Sequence, residues 1–122
     1  MAEERATLHR LDAVTLATRD MARALKFYAA LGFALRKGGP DKDFSSLDAG
    51  SVKLNLILVA QEAPWPWWGR LIFHTPDVDA MYQRVRERGL SPHAPPRDAD
   101  WGERFFHLTD PDGHELSFAR PL

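Results

Sequence analysis

The residues able to do chemistry are few and widely spaced. The chain has no cysteine, which excludes thiolate metal sites, disulfides and cysteine nucleophiles. Of its five histidines, His74 and His107 sit inside apolar runs, "LIFH" and "RFFHL", and Glu115 follows the turn "DPDGH". Imidazole and carboxylate are donors that divalent ions take, so these three would form a metal site if they converged. His74 could also act as a general base, but spacing places no acid beside it. Arg70 opens a strand-like run, and a guanidinium facing a cavity needs an anion, from Glu115 or from a ligand. Asn55 and Ser117 offer hydrogen bonds from strand positions. Trp68 in "PWPWWGR" and Trp101 in "WGERFF" offer flat apolar area. The plain reading of Arg104 is a salt bridge to Glu103 or Glu115. His9, His93 and His114 fall near a terminus, in a loop and beside a turn, and read as solvated. Tyr28 and Tyr82 fit helix core faces. No nucleophile elbow, phosphate loop or Ser-His-Asp signature is present.

The elements that must position these residues occur twice. "LDAVTLATRDMARALKFYAALGF" aligns with "WGRLIFHTPDVDAMYQRVRERGL". Each starts with a strand-like run, Val14 to Ala17 and Leu71 to His74. Each then meets an Asp suited to a helix N-cap, Asp20 and Asp77. Met21, Ala24, Leu25, Tyr28 and Leu31 form one helical stripe; Val78, Met81, Tyr82 and Val85 form the other. Gly32 and Gly89 are suited to left-handed helix ends. "LDAGSVKLNLIL" then aligns with "TDPDGHELSFAR". Further strands are expected at Ala34 to Lys37, around Phe44 to Leu47, at Leu90 to Ala94 and around Arg104 to Leu108. Each half therefore reads strand, helix, three strands. Module one spans about 8–60, a linker about 61–68, and module two about 69–122. "SPHAPPRDADWG" reads as a loop within module two. Alternation turns Val14, Leu16, Leu54, Leu116 and Phe118 toward the helices. It turns Thr15, Asn55, Arg70, His74, Glu115 and Ser117 to the other face.

Length fits one domain, and the apolar share, 44%, is ordinary. A net charge of -1 argues against nucleic acid or an anionic membrane as the main partner, since both need a basic face. "MAEERATLHRL" lacks the apolar core of a signal peptide, and no apolar run is long enough to span a membrane. A cytoplasmic protein is the expectation.

"LDAVTLATRDMARALKFYAALGF", "FHTPDVDAMYQRVRERGL" and "WGERFFHLTDPDGHELSF" resemble the vicinal oxygen chelate superfamily of glyoxalases, bleomycin-resistance proteins and extradiol dioxygenases. The resemblance covers nearly the whole chain. It implies an α+β fold of two tandem βαβββ modules whose curved mixed sheets enclose a cavity, and often a homodimer with clefts between subunits. It also implies a divalent metal held from the first and last strand of each module. The four matching positions read Ala13, Asn55, Arg70 and Ser117. None suits a first-row ion, and the arginine would repel one. The expectation is therefore no metal and no cofactor. The expected function is binding or sequestration of a small aromatic or amphipathic molecule by Asn55, Trp68, Arg70, His74, Trp101, Arg104, His107, Glu115 and Ser117. The alternative is a metal-dependent lyase, isomerase or dioxygenase with a displaced site built from His74, His107 and Glu115. A third reading is an interaction subunit whose cavity is filled by Trp65, Trp67 or Trp68.

Overall fold

The computed structural model describes residues 5–122. The first part of the N-terminal stretch read above for a signal peptide, residues 1–4, lies outside the described residues. Module one runs β1 (Ala13–Thr18), α1 (Met21–Leu31), β2 (Ala34–Lys37), β3 (Phe44–Ala49) and β4 (Val52–Leu58). Module two runs β5 (Arg70–His74), α2 (Val78–Glu87), β6 (Arg97–Asp98), β7 (Glu103–Thr109) and β8 (Glu115–Pro121). Each module forms its own four-stranded sheet, ordered β1-β4-β3-β2 and β5-β8-β7-β6. The first strand of each module pairs parallel to the last, and the other pairings are antiparallel. Both sheets are open mixed sheets, and neither closes into a barrel.

The helices start where the acids predict. Asp20 accepts from the Arg23 backbone N–H at 3.0 Å and Asp77 from that of Ala80 at 2.9 Å. Each satisfies one of the free donors of a first turn. Gly32 ends α1 at φ 101°, in the left-handed region. In α2 the cap is Arg88, and the left-handed Gly89 follows it. Leu16, Leu54 and Leu56 bury against α1, and Phe106, Leu116 and Phe118 join the same core with Val78 and Val85 of α2. One continuous apolar core therefore joins the two modules.

The second strand of module two is displaced from its expected place. Leu90 to Ala94 is not a strand; the pairing falls on Arg97–Asp98 and lasts two residues. Pro92, Pro95 and Pro96 explain this, because proline has no N–H to give a sheet ladder.

The "DPDGH" turn does structural work between modules. The Asp110 carboxylate accepts from the backbone N–H groups of Asp112 and His114, each at 2.9 Å, through one oxygen. Its other oxygen takes the Tyr28 hydroxyl of α1 at 2.6 Å. Asp112 takes the Thr18 hydroxyl at 2.6 Å, the Arg19 backbone N–H at 3.0 Å and the Arg23 guanidinium at 3.1 Å. The turn thus clasps module one.

Candidate functional site

Strand register decides which side chains share a face. On sheet two the rows across β5, β8 and β7 are Arg70–Glu115–Thr109, Ile72–Ser117–His107 and His74–Ala119–Phe105. Arg97 on β6 continues the last row from Phe105. The alternate residues Leu71, Phe73, Leu116 and Phe118 pack into the core. The face so defined is exposed at Ile72, 65%, and Trp101, lying beyond β6, is 70% exposed. Sheet one presents rows Ala13–Lys53–Asp48, Thr15–Asn55–Ser46 and Ala17–Ile57–Phe44. Asn55 donates to the Thr15 hydroxyl on its own sheet at 3.3 Å.

The expected site residues therefore divide. Arg70, His74, His107, Glu115 and Ser117 share the face of sheet two. Asn55 lies on the other sheet. Arg104 turns away: on β7 it alternates with Phe105 and His107 to the helix side, where Asp79 of α2 holds it through both carboxylate oxygens at 2.8 and 2.9 Å. Asp98 adds a third contact at 3.0 Å. These partners replace the expected Glu103 or Glu115. The hydrogen bonds from Arg104 hold the Asp79 carboxyl below its ordinary range.

Arg70 makes no ion pair with Glu115, its cross-strand neighbour. It is exposed, so water solvates it and the cost of a buried unpaired cation does not arise. Glu115 instead accepts from the Thr109 hydroxyl at 3.1 Å through one oxygen, and its second oxygen is buried without a partner. Thr109 in turn stands 2.6 Å from the His93 ring. His107 faces the same space, its acidity strengthened by burial first and then by the charges of Arg70, His93 and Arg97, with Glu115 opposing.

The linker tryptophans pack into the seam between modules. Trp68 donates its indole N–H to His114 Nδ1 at 2.8 Å. His114 Nε2 stands 2.8 Å from the Ala17 carbonyl, so the neutral tautomer carrying its hydrogen on Nε2 satisfies both contacts. Trp65 stacks on the His114 ring at 4.9 Å, and the Arg19 guanidinium covers the Trp65 ring at 3.9 Å. His114 is 4% exposed, contrary to the solvated reading. Trp67 is the most exposed of the three, at 71%, and Trp68 keeps part of its ring in solvent.

The four positions matched to metal ligands do not fit a divalent ion. Ala13 offers no donor, Asn55 and Ser117 are weak ones, and Arg70 is a permanent cation. The displaced set does not assemble either: His74, His107 and Glu115 occupy three different rows of sheet two. Among the described residues no three His, Cys, Asp or Glu side chains gather to hold a metal.

His93, Arg97, Phe105 and Thr109 belong to the face and were missed from sequence. Alternation from His107 reaches Phe105 and Thr109. His93 and Arg97 lie in and just after a proline-rich loop with no period to place them.

Comparisons with known proteins agree with this architecture. Residues 10–118 match the family described as Glyoxalase/Bleomycin resistance protein/Dioxygenase superfamily. An uncharacterized protein of Mycolicibacterium smegmatis is 34% identical over 116 residues, covering 93% of this chain and 96% of the relative. A bleomycin resistance determinant encoded on the transposon Tn5 has a similar structure, with TM-score 0.78 and 23% identity, covering 93% of this chain and 98% of that one. TioX from Micromonospora sp. ML1 is similar at TM-score 0.77 and 25% identity, covering 93% and 100%.

Proposed function

The chain belongs to the glyoxalase/bleomycin resistance protein/dioxygenase superfamily, and from that premise we propose that it binds a small aromatic or amphipathic molecule, without a metal and without altering it, on the open face of sheet two. The observation that carries this reading is the composition of the face. It joins exposed apolar surface at Ile72 and Trp101 to polar groups on the same face at Arg70, His74, His107 and Glu115. Exposed apolar area beside placed polar groups is what a ligand site combines. The donor set at Ala13, Asn55, Arg70 and Ser117 supports a site that works without a metal.

Calorimetry with planar probes in excess chelator tests the reading. 1-Naphthoate or its neutral counterpart 1-naphthamide should bind saturably and be recovered unchanged. Binding that appears only after zinc, nickel or manganese is restored, or a probe consumed during the titration, would sink it.

A further inference from the structure

We propose that the recess at the outer end of sheet two, between Arg97 and His107, is an anion-anchoring subsite that selects a planar aromatic acid. This deepens the reading that the face binds a small molecule and rests on it.

The recess has a volume of about 180 Å³ and is lined by His93, Ala94, Pro95, Arg97, Phe105 and His107, with Phe106 behind. Phe105 forms its floor. The Arg97 guanidinium lies 4.9 Å from the Phe105 ring centroid, and the His107 ring is tilted on it at 4.8 Å. Trp101 stacks on the same ring at 5.6 Å and 29°, carrying the flat surface outward into solvent. His93 is held in place at two points: its backbone N–H donates to the His107 carbonyl at 3.0 Å, and its ring meets Thr109 at 2.6 Å.

The charges around the recess are unbalanced. Asp98, adjacent to Arg97 in sequence, is taken by Arg104, as is Asp79. Arg97 forms no ion pair with any described residue. Glu115 is the carboxylate nearest His93, at 3.9 Å, and one of its oxygens is committed to Thr109. His107 is made more acidic first by its burial and then by the charges of Arg70, His93 and Arg97, with Glu115 opposing. A cation-lined recess is a poor site for an ammonium and a good one for a carboxylate, which a guanidinium can meet with two parallel hydrogen bonds. The exposed Trp101 ring at its side then favours a planar body over a compact anion such as phosphate.

The test compares 1-naphthoate, 1-naphthamide and inorganic phosphate on the intact protein, by calorimetry and by proton NMR of the His107 ring. The naphthoate should bind at least tenfold more tightly than the amide. It should also raise the pH at which His107 titrates, because an adjacent anion stabilises the imidazolium. Arg97→Gln should remove most of the tenfold preference, weakening naphthoate far more than the amide. Arg97 has no ion pair among the described residues to lose, and circular dichroism of the variant checks that losing its stack on Phe105 leaves the fold intact. Equal binding of acid and amide, or an Arg97→Gln protein that keeps the preference, overturns the anion anchor while leaving small-molecule binding intact. Phosphate competing at the same concentration as naphthoate overturns the selection for a planar acid. If neither aromatic probe binds, the anchor and the functional reading it rests on fall together.

Discussion

Asp110 shows what a single carboxylate does at the module junction. Burial pushes its proton affinity above the usual carboxylate range, although the Tyr28 hydroxyl and two backbone N–H groups bond the charged form. Tyr28 is itself held well above its ordinary range, chiefly by burial and then by the Asp110 charge. A carboxyl with a raised folded value binds its proton more tightly folded than unfolded. It therefore favours the folded state at low pH, and that contribution is lost as pH rises from about 4 through the folded value. Asp110→Asn can keep all three contacts, with the amide oxygen accepting from the backbone and the amide nitrogen donating to Tyr28. The expected outcome is that denaturant midpoints of the variant lack this decline with pH, relative to the parent; parallel profiles would show that Asp110 titrates normally. Tyr28→Phe should cost about 1–3 kcal/mol, the usual penalty for leaving a buried acceptor unsatisfied. The sequence shows the acidic turn but not its partners. Tyr28 and Asp110 are 82 residues apart, and nothing local marks a core tyrosine as a donor to a distant acid. His114 escaped notice for the same reason, since its burial comes from linker tryptophans 46 and 49 residues earlier in the chain.

At the level of elements, pattern and physics agree closely in module one. Alternation places Leu16, Leu54 and Leu56 in the core and Thr15 and Asn55 on the other face, and the ladder of β1 against β4 follows. Module two departs at β6, where three prolines remove the N–H groups a longer second strand would use. The hairpin region of β2 and β3 carries a constraint that pattern does not show. Gly38 has φ 91°, and a Cβ there would lie 2.3 Å from the Phe44 carbonyl oxygen and 2.7 Å from Ser45 Cα. Both neighbours are backbone, so neither can swing aside. Gly50 has φ 68° with nothing within 4 Å. Gly50→Ala should therefore cost only the left-handed strain, about 1 kcal/mol. Gly38→Ala adds a backbone collision and should cost more than about 2 kcal/mol, with the β2–β3 pairing displaced. Urea unfolding of the two variants decides it; equal costs would mean that the turn relaxes freely.

The whole molecule leaves surface that a single copy does not cover. Phe44 and Ile57 on sheet one and Ile72 on sheet two are each 40% exposed or more. β1 pairs only with β4 and β5 only with β8, so each sheet ends in a strand with a free edge. Unpaired edges beside exposed apolar faces invite association, which natural proteins manage by covering them. A second copy offers the same set of surfaces, and a twofold arrangement can bring sheet one of one copy against sheet two of the other. Such a pairing would also bring Asn55 toward the face that holds Arg70, His107 and Ser117, which the separate sheets of one chain keep apart. Trp65 and Trp68 are anchored to His114 in the seam, so the interface should draw chiefly on Ile57 and Ile72. We expect a homodimer by light scattering at micromolar concentration. An Ile57→Asp, Ile72→Asp double variant should run as a folded monomer, because a stable interface needs about 800 Å² of well-packed surface on each copy and two buried charges at its centre would prevent that. The charged variant should also bind 1-naphthoate more weakly, since one wall of the cleft would be gone. A parent protein that is monomeric, or a double variant that remains dimeric with affinity intact, would show that these faces do not meet and that sheet two binds its ligand alone.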